Sequence, residues 1–154
     1  MTVGAGVLAA QEGVRAGWDG AGGGAYEAAA AQLRLRYRLS AMTADAYVGE
    51  GWTAVVQDVV LGEELAGYVG LVRTRPLYVV VLASAPRAVA EREVGRGKGG
   101  YGAGWTVESL DRALREETPP IGLWLDTTGQ TVEQTVDTAL AELGRARVVG
   151  AAES

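Results

Sequence analysis

The sequence predicts an α/β protein, a three-layer α/β/α arrangement with a parallel sheet, and three observations carry that prediction. Three short apolar runs occur at residues 53–60 (TAVVQDVV), 77–83 (LYVVVLA) and 121–127 (IGLWLDT), each nearly continuous in apolarity and rich in β-branched or aromatic residues. Such runs suit strands buried on both faces. Segments of helical pattern lie between them, and strands separated by helices run parallel with the helices on the sheet faces. The helix starts are also marked. Pro86 fits a first helical position, Thr106 an N-cap, and Thr131 with Gln134 a capping box.

In chain order, residues 1–24, with GWDGAGGG, read as an irregular N-terminal segment. A helix is expected over 25–51 (AYEAAAAQLRLRYRLSAMTADAYVGEG), then the first strand, then a helix over 62–74. The second strand leads into a helix over 86–96 (PRAVAEREVGR), and a further helix covers 106–117 (TVESLDRALREE). After the third strand a helix over 131–145 closes a domain running from 25 to 147, with a flexible tail at 148–154. At 154 residues the chain makes one domain with room for a core.

Composition excludes several chemistries. With 48% hydrophobic and 21% charged residues the chain has the balance of a folded soluble protein. It contains neither Cys nor His. That removes thiolate nucleophiles, Ser-His-Asp triads and Cys/His zinc sites, and leaves carboxylates, which suit Mg2+, as the metal ligands. A net charge of −5 argues against a nucleic-acid partner, whose phosphates call for clustered Lys and Arg. No apolar run is long enough for a bilayer and the N-terminus does not read as a secretory signal, so the expected location is the cytoplasm, with no membrane partner.

In open parallel sheets, ligands gather at the carboxyl ends of the strands. That rule points to Gln57 and Asp58 after the first run, Ser84 after the second, and Asp126, Thr127 and Thr128 after the third. Asp58 reads either as a carboxylate that serves a substrate hydroxyl or Mg2+, or as a strand-end residue capping the next turn. Asp126 reads as a turn residue. The basic cluster RLRYR (Arg34, Arg36 and Arg38 around Tyr37) spreads over more than one face of its helix and reads as a solvated surface, with Leu33, Leu35 and Leu39 partly buried. Trp52, Trp105 and Trp124 read as core or pocket lining.

The glycine-rich stretch AEREVGRGKGGYGAGW, residues 90–105, invites comparison with a phosphate loop, G-x-x-x-x-G-K-[ST] after a strand. Lys98 is followed by Gly99, the first glycine of that pattern is missing, and the segment follows a helix. Lys98 is also the only lysine, so the sequence holds no Walker A loop anywhere.

Read with its neighbours, the segment RPLYVVVLASAPRAVAEREVGRGKGGYGAGWTVESLDRALREETPPIGLWLDTTGQTVEQTVDTAL resembles the C-terminal half of small P-loop kinases of the chloramphenicol-phosphotransferase-like group. The matching features are a Val/Leu-rich strand, a helix with R-E-x-x-R, a short glycine-containing lid, a further helix, and a strand ending L-D-T-[ST]. The preceding QLRLRYRLSAMTADAYVGEGWTAVVQDVVLGEEL is similar to that group's central helix and third strand, so the likeness covers roughly residues 30–143. The resemblance implies a P-loop NTPase-like fold, ATP with Mg2+, and transfer of phosphate to a small-molecule hydroxyl. It places Arg92 and Arg96, with Lys98 assisting, in a lid (92–105) over the phosphates. A guanidinium on a glycine-flanked segment is physically suited to that role, although Arg92 and Arg96 at i, i+4 also fit a solvated helix face. It puts Asp58 at the hydroxyl or metal, and Arg38, Gln57 and Trp105 beside the substrate.

The family's first strand and Walker A loop have no counterpart here. The expectation is therefore a kinase-like domain shortened at its N-terminus and inactive alone, a non-enzymatic binding or regulatory module, or a half-protein completed by a partner strand or a second copy.

Overall fold

The computed structural model describes residues 23–95 and 106–149. The first helix, α1, spans Gly23–Gly49, where Ala, Leu and Arg, all strong helix formers, predominate. Its buried side is Tyr37, Ser40, Ala41 and Ala44, an i, i+3, i+4, i+7 stripe. Leu35 and Leu39 lie outside that stripe and are exposed, contrary to expectation, as is Trp52. A Schellman turn ends the helix. Gly51 takes φ +84°, its N–H donates to Val48 O at 2.9 Å, and the Trp52 N–H donates to Tyr47 O at 3.0 Å.

Residues 53–60 depart most from the sequence expectation. They join no ladder among the described residues, and they are not buried on both faces. Ala54, Val56, Asp58 and Val60 are half-buried while Thr53, Val55, Gln57 and Val59 are exposed, the period-two alternation of a one-sided extended segment. Side chains of α1 take the place of a neighbouring strand. The Tyr37 hydroxyl donates to Val59 O at 2.8 Å, and Arg36 pairs with Asp58.

Helix α2, Glu64–Leu71, follows the turn at Gly62, which has φ +61° and accepts the Leu65 N–H at 3.2 Å. Tyr68 of α2 meets Tyr37 edge-on, with centroids 5.4 Å apart at 72°. The Ser40 hydroxyl donates to Tyr37 O, so its 3.1 Å contact with Tyr68 has the phenol as donor. The described residues form two units, 23–60 with 66–74, and 61–65 with 75–95 and 106–149.

The second unit contains the strands. Residues 77–83 run as β1, Leu77–Tyr78, and β2, Val80–Ala83. β2 pairs in parallel with β3, Leu123–Asp126, in the register Val80↔Leu123 to Ala83↔Asp126. β1 pairs antiparallel with β4, Arg147–Val148, so Val148, expected in a flexible tail, belongs to a ladder. Val79 joins the two ladders. Its N–H donates to Ala146 O at 2.8 Å and its C=O accepts from the Leu123 N–H at 2.9 Å.

The helices of this unit begin where the caps predict. α3 is Pro86–Gly95. α4, Val107–Arg112, starts at Thr106, whose hydroxyl accepts the Ser109 N–H while Ser109 returns a bond to the Thr106 N–H. It continues as one π turn, Ala113–Glu117, held by the Thr118 hydroxyl donating to Ala113 O at 2.9 Å. The same hydroxyl accepts the Gly62 N–H at 2.7 Å. α5, Val132–Ala141, has the reciprocal Thr131/Gln134 box, and α6 is Leu143–Ala146. Leu123, Leu125 and Ala146 form the core, with Val80, Ala139 and Leu143 packed on it. The architecture is thus mixed helix and strand with two small ladders, one of them parallel, among the described residues.

Gly122 sits where this core closes. Its φ is +77°, and a Cβ there would lie 2.7 Å from Val79 Cβ and closer still to the Val79 carbonyl oxygen. Gly51 has a similar φ but open space around it. Gly51→Ala is expected to cost about 1 kcal/mol, the left-handed penalty alone, and Gly122→Ala roughly 3 kcal/mol or more, because the backbone must also move. Denaturant midpoints of the two variants check this ordering.

Candidate functional site

The parallel pair brings its two carboxyl ends together. Thr127 continues the ladder, its N–H donating to Ala83 O at 3.4 Å, and its buried hydroxyl lies 2.6 Å from that of Ser84. The Ala85 N–H, just before α3, donates to the Thr128 hydroxyl at 2.8 Å. That hydroxyl in turn donates to Asp126 Oδ1, and the Thr128 N–H donates to the same oxygen at 2.9 Å. This is an Asx turn, which fits the reading of Asp126 as a turn residue. Hydrogen bonds from the Thr128 hydroxyl and then its N–H hold the Asp126 carboxyl below its ordinary 3.8, against slight desolvation, and the Arg115 charge adds to the effect.

Arg115 was not singled out in the sequence. It stands in the π turn, with Nε donating to Asp111 Oδ1 at 2.8 Å and Nη2 reaching Ser84 O at 3.4 Å. The i, i+4 spacing of Asp111 and Arg115 was visible, but the extra residue of a π turn that aims the guanidinium at the strand end has no sequence signature. The site therefore offers three hydroxyls, one guanidinium and one charged carboxylate at the end of a parallel pair.

Asp58 stands in the other unit. Its Oδ2 accepts from Arg36 Nε at 3.0 Å, its Oδ1 from Arg36 Nη2, and Oδ1 also takes the Val59 N–H at 2.7 Å. Both side chains are largely enclosed, Arg36 at 19% and Asp58 at 13% exposure. Such a fork-on-carboxylate pair is geometrically specific. Oδ1 accepts two of these bonds and Oδ2 one. Burial raises the Tyr68 phenol above its ordinary 10.0, the Ser40 hydrogen bond works against this, and the Asp58 charge raises it further.

Gln57, Arg34 and Arg38 are exposed. The Arg92 backbone lies in α3, but its side chain, together with Arg96, Lys98 and Trp105, falls outside the described residues. Among the described residues no group of three acidic side chains is gathered that could hold a metal ion. No helix among them is long and apolar enough to cross a membrane. Comparisons with known protein families, with curated proteins and with solved structures find no match.

Asp45, also missed in the sequence, accepts the N–H groups of Arg73 at 3.1 Å and Thr74 at 2.9 Å, and the Thr74 hydroxyl at 2.7 Å. Desolvation pushes its carboxyl up, but the Thr74 and Arg73 hydrogen bonds and the Arg73 charge outweigh that and leave it below its ordinary 3.8. A depressed folded-state pKa stabilises above the unfolded value and is lost as pH falls through the folded one. Asp45→Asn should therefore flatten the decline in stability below about pH 4, read from thermal midpoints against pH. Arg36→Ala should cost about 2–3 kcal/mol by stranding Asp58, and Arg36→Met with Asp58→Leu should cost less than that single change. Denaturant titration of the three proteins measures both.

Proposed function

We propose that this chain is a small-molecule phosphotransferase-like protein of the P-loop kinase type, with a three-layer α/β/α plan, whose phosphate-bearing ligand sits at the carboxyl ends of β2 and β3. The observation that carries the reading is the joining of those ends by the Ser84–Thr127 and Ala85–Thr128 hydrogen bonds, with Arg115 reaching the same point. The parallel pairing of the two runs that flank the R-E-x-x-R segment agrees with the resemblance. The resemblance gives Arg92, Arg96 and Lys98 to the phosphates and Trp105, Arg38 and Gln57 to the acceptor, with ATP and Mg2+ as the donor. It gives Asp58, which Arg36 holds, to the hydroxyl or the metal.

Phosphoryl transfer rests almost wholly on positioning and electrostatics. These 154 residues hold no G-x-x-x-x-G-K-[ST], so the expected activity of the chain alone is binding without turnover. The engagement of both Asp58 oxygens by Arg36 favours a second reading, a non-enzymatic module that grips an anion.

Calorimetric titration with magnesium-ATP, on protein shown to be folded by circular dichroism, tests the proposal. Binding in the micromolar range is expected, weakened about tenfold, or 1.4 kcal/mol, by Arg115→Ala and again by Arg92→Ala with Arg96→Ala. A phosphate-release assay on the same sample separates the module from a kinase. Absence of binding by the folded chain would refute both readings.

A further inference from the structure

The edge of β1 and β2 that faces away from β3 and β4 has no partner strand among the described residues. In an extended strand the N–H and C=O of one residue point to the same edge, and successive residues alternate. Val79 uses both groups, on Ala146 and Leu123, and Ala83 O accepts from Thr127. Residues 79, 81 and 83 therefore face β3 and β4, which lie one after the other along the same edge. The amides of Tyr78, Val80 and Leu82 face the opposite edge.

That edge lacks two of the devices that keep strands from pairing with other chains, charge and proline. Residues 77–83, LYVVVLA, contain no charge and no proline. Tyr78 is 41% and Leu82 56% exposed. The outer edge of β3, by contrast, ends at the charged Asp126.

We infer that this edge is an interface between two copies of the chain, paired antiparallel across a two-fold axis at Val80. The edge is its own complement. With Val80 opposite Val80 of the second copy, Tyr78 falls opposite Leu82 and Leu82 opposite Tyr78. Each N–H of these residues then meets a C=O of the other copy, as hydrogen-bonded antiparallel pairs require. The cross-strand partners are Val with Val and Tyr with Leu, apolar pairs of the kind that stabilise sheets. The contact is isologous and closes after two copies, because the opposite edge of the strand is filled by β3 and β4.

The chain has no cysteine, so introduced cysteines report the register directly. Directly opposed Cα atoms in a hydrogen-bonded pair stand about 5.5 Å apart, within disulfide reach. A residue and its own copy four positions out of register are separated by roughly 14 Å. Light scattering of the wild type should give twice the 16.0 kDa of one chain. Leu82→Lys, at an exposed position, should shift it to one chain with its circular dichroism unchanged. Under mild oxidation a mixture of Tyr78→Cys and Leu82→Cys proteins should cross-link, and each alone should not. A wild type that stays monomeric at all concentrations overturns the inference. So does cross-linking of each single variant to itself at the rate of the mixture, and so does a dimer untouched by Leu82→Lys.

Discussion

The second unit hangs on the backbone of one residue. Val79 commits its N–H to Ala146 and its C=O to Leu123, so a single residue passes the strand from an antiparallel neighbour to a parallel one on the same edge. That geometry forces the chain before β3 against the Val79 carbonyl, and only a residue without a Cβ, at φ +77°, can stand there. Once Gly122 is in place, Leu123 and Leu125 turn inward on Ala146, and the strand ends align. The hydroxyl cluster at Ser84, Thr127 and Thr128 is a consequence of that register.

The first unit solves a different problem. A segment of alternating burial at 53–60 must be held without a ladder, and α1 does so through consecutive residues. Tyr37 donates to the backbone of Val59 while Arg36 grips Asp58. A buried pair of this kind contributes more to specificity of placement than to net stability, since desolvation cancels much of the attraction. Asp45 repeats the device one helical face on, where it fixes the exit from α2 at Arg73 and Thr74.

The second and third strands, the Pro86 start, the Thr106 cap and the Thr131/Gln134 box were legible because each is local: β-branched runs for the strands, a hydroxyl just ahead of the first helical turn for the caps. The first apolar run looked the same and is different. Near-continuous apolarity reports that a segment touches a core, not whether another strand lies beside it. Tyr37 rather than the neighbouring leucines faces inward for a similar reason. Its polar tip needs Val59 O as well as a place in the apolar contact, and that partner lies far along the chain. The strand-end rule found Ser84, Asp126, Thr127 and Thr128, but Arg115 depends on a π turn that no spacing announces.

Under the proposed function the strand-end site would meet an anion in a different way from a Walker loop. A phosphate loop encloses its ligand in backbone N–H groups. Here the Ala85 N–H is already spent on Thr128, and the Thr128 N–H on Asp126. The positive field comes from Arg115, and it stands near a carboxylate that the same hydrogen bonds keep charged. Under the proposed function a phosphate lies against the Arg115 guanidinium, and a hydroxyl of the same ligand donates to the Asp126 carboxylate. Charge placement of this kind selects by orientation before it selects by affinity, and under the proposal it ties the choice of ligand to the Asp111–Arg115 pair that aims the guanidinium.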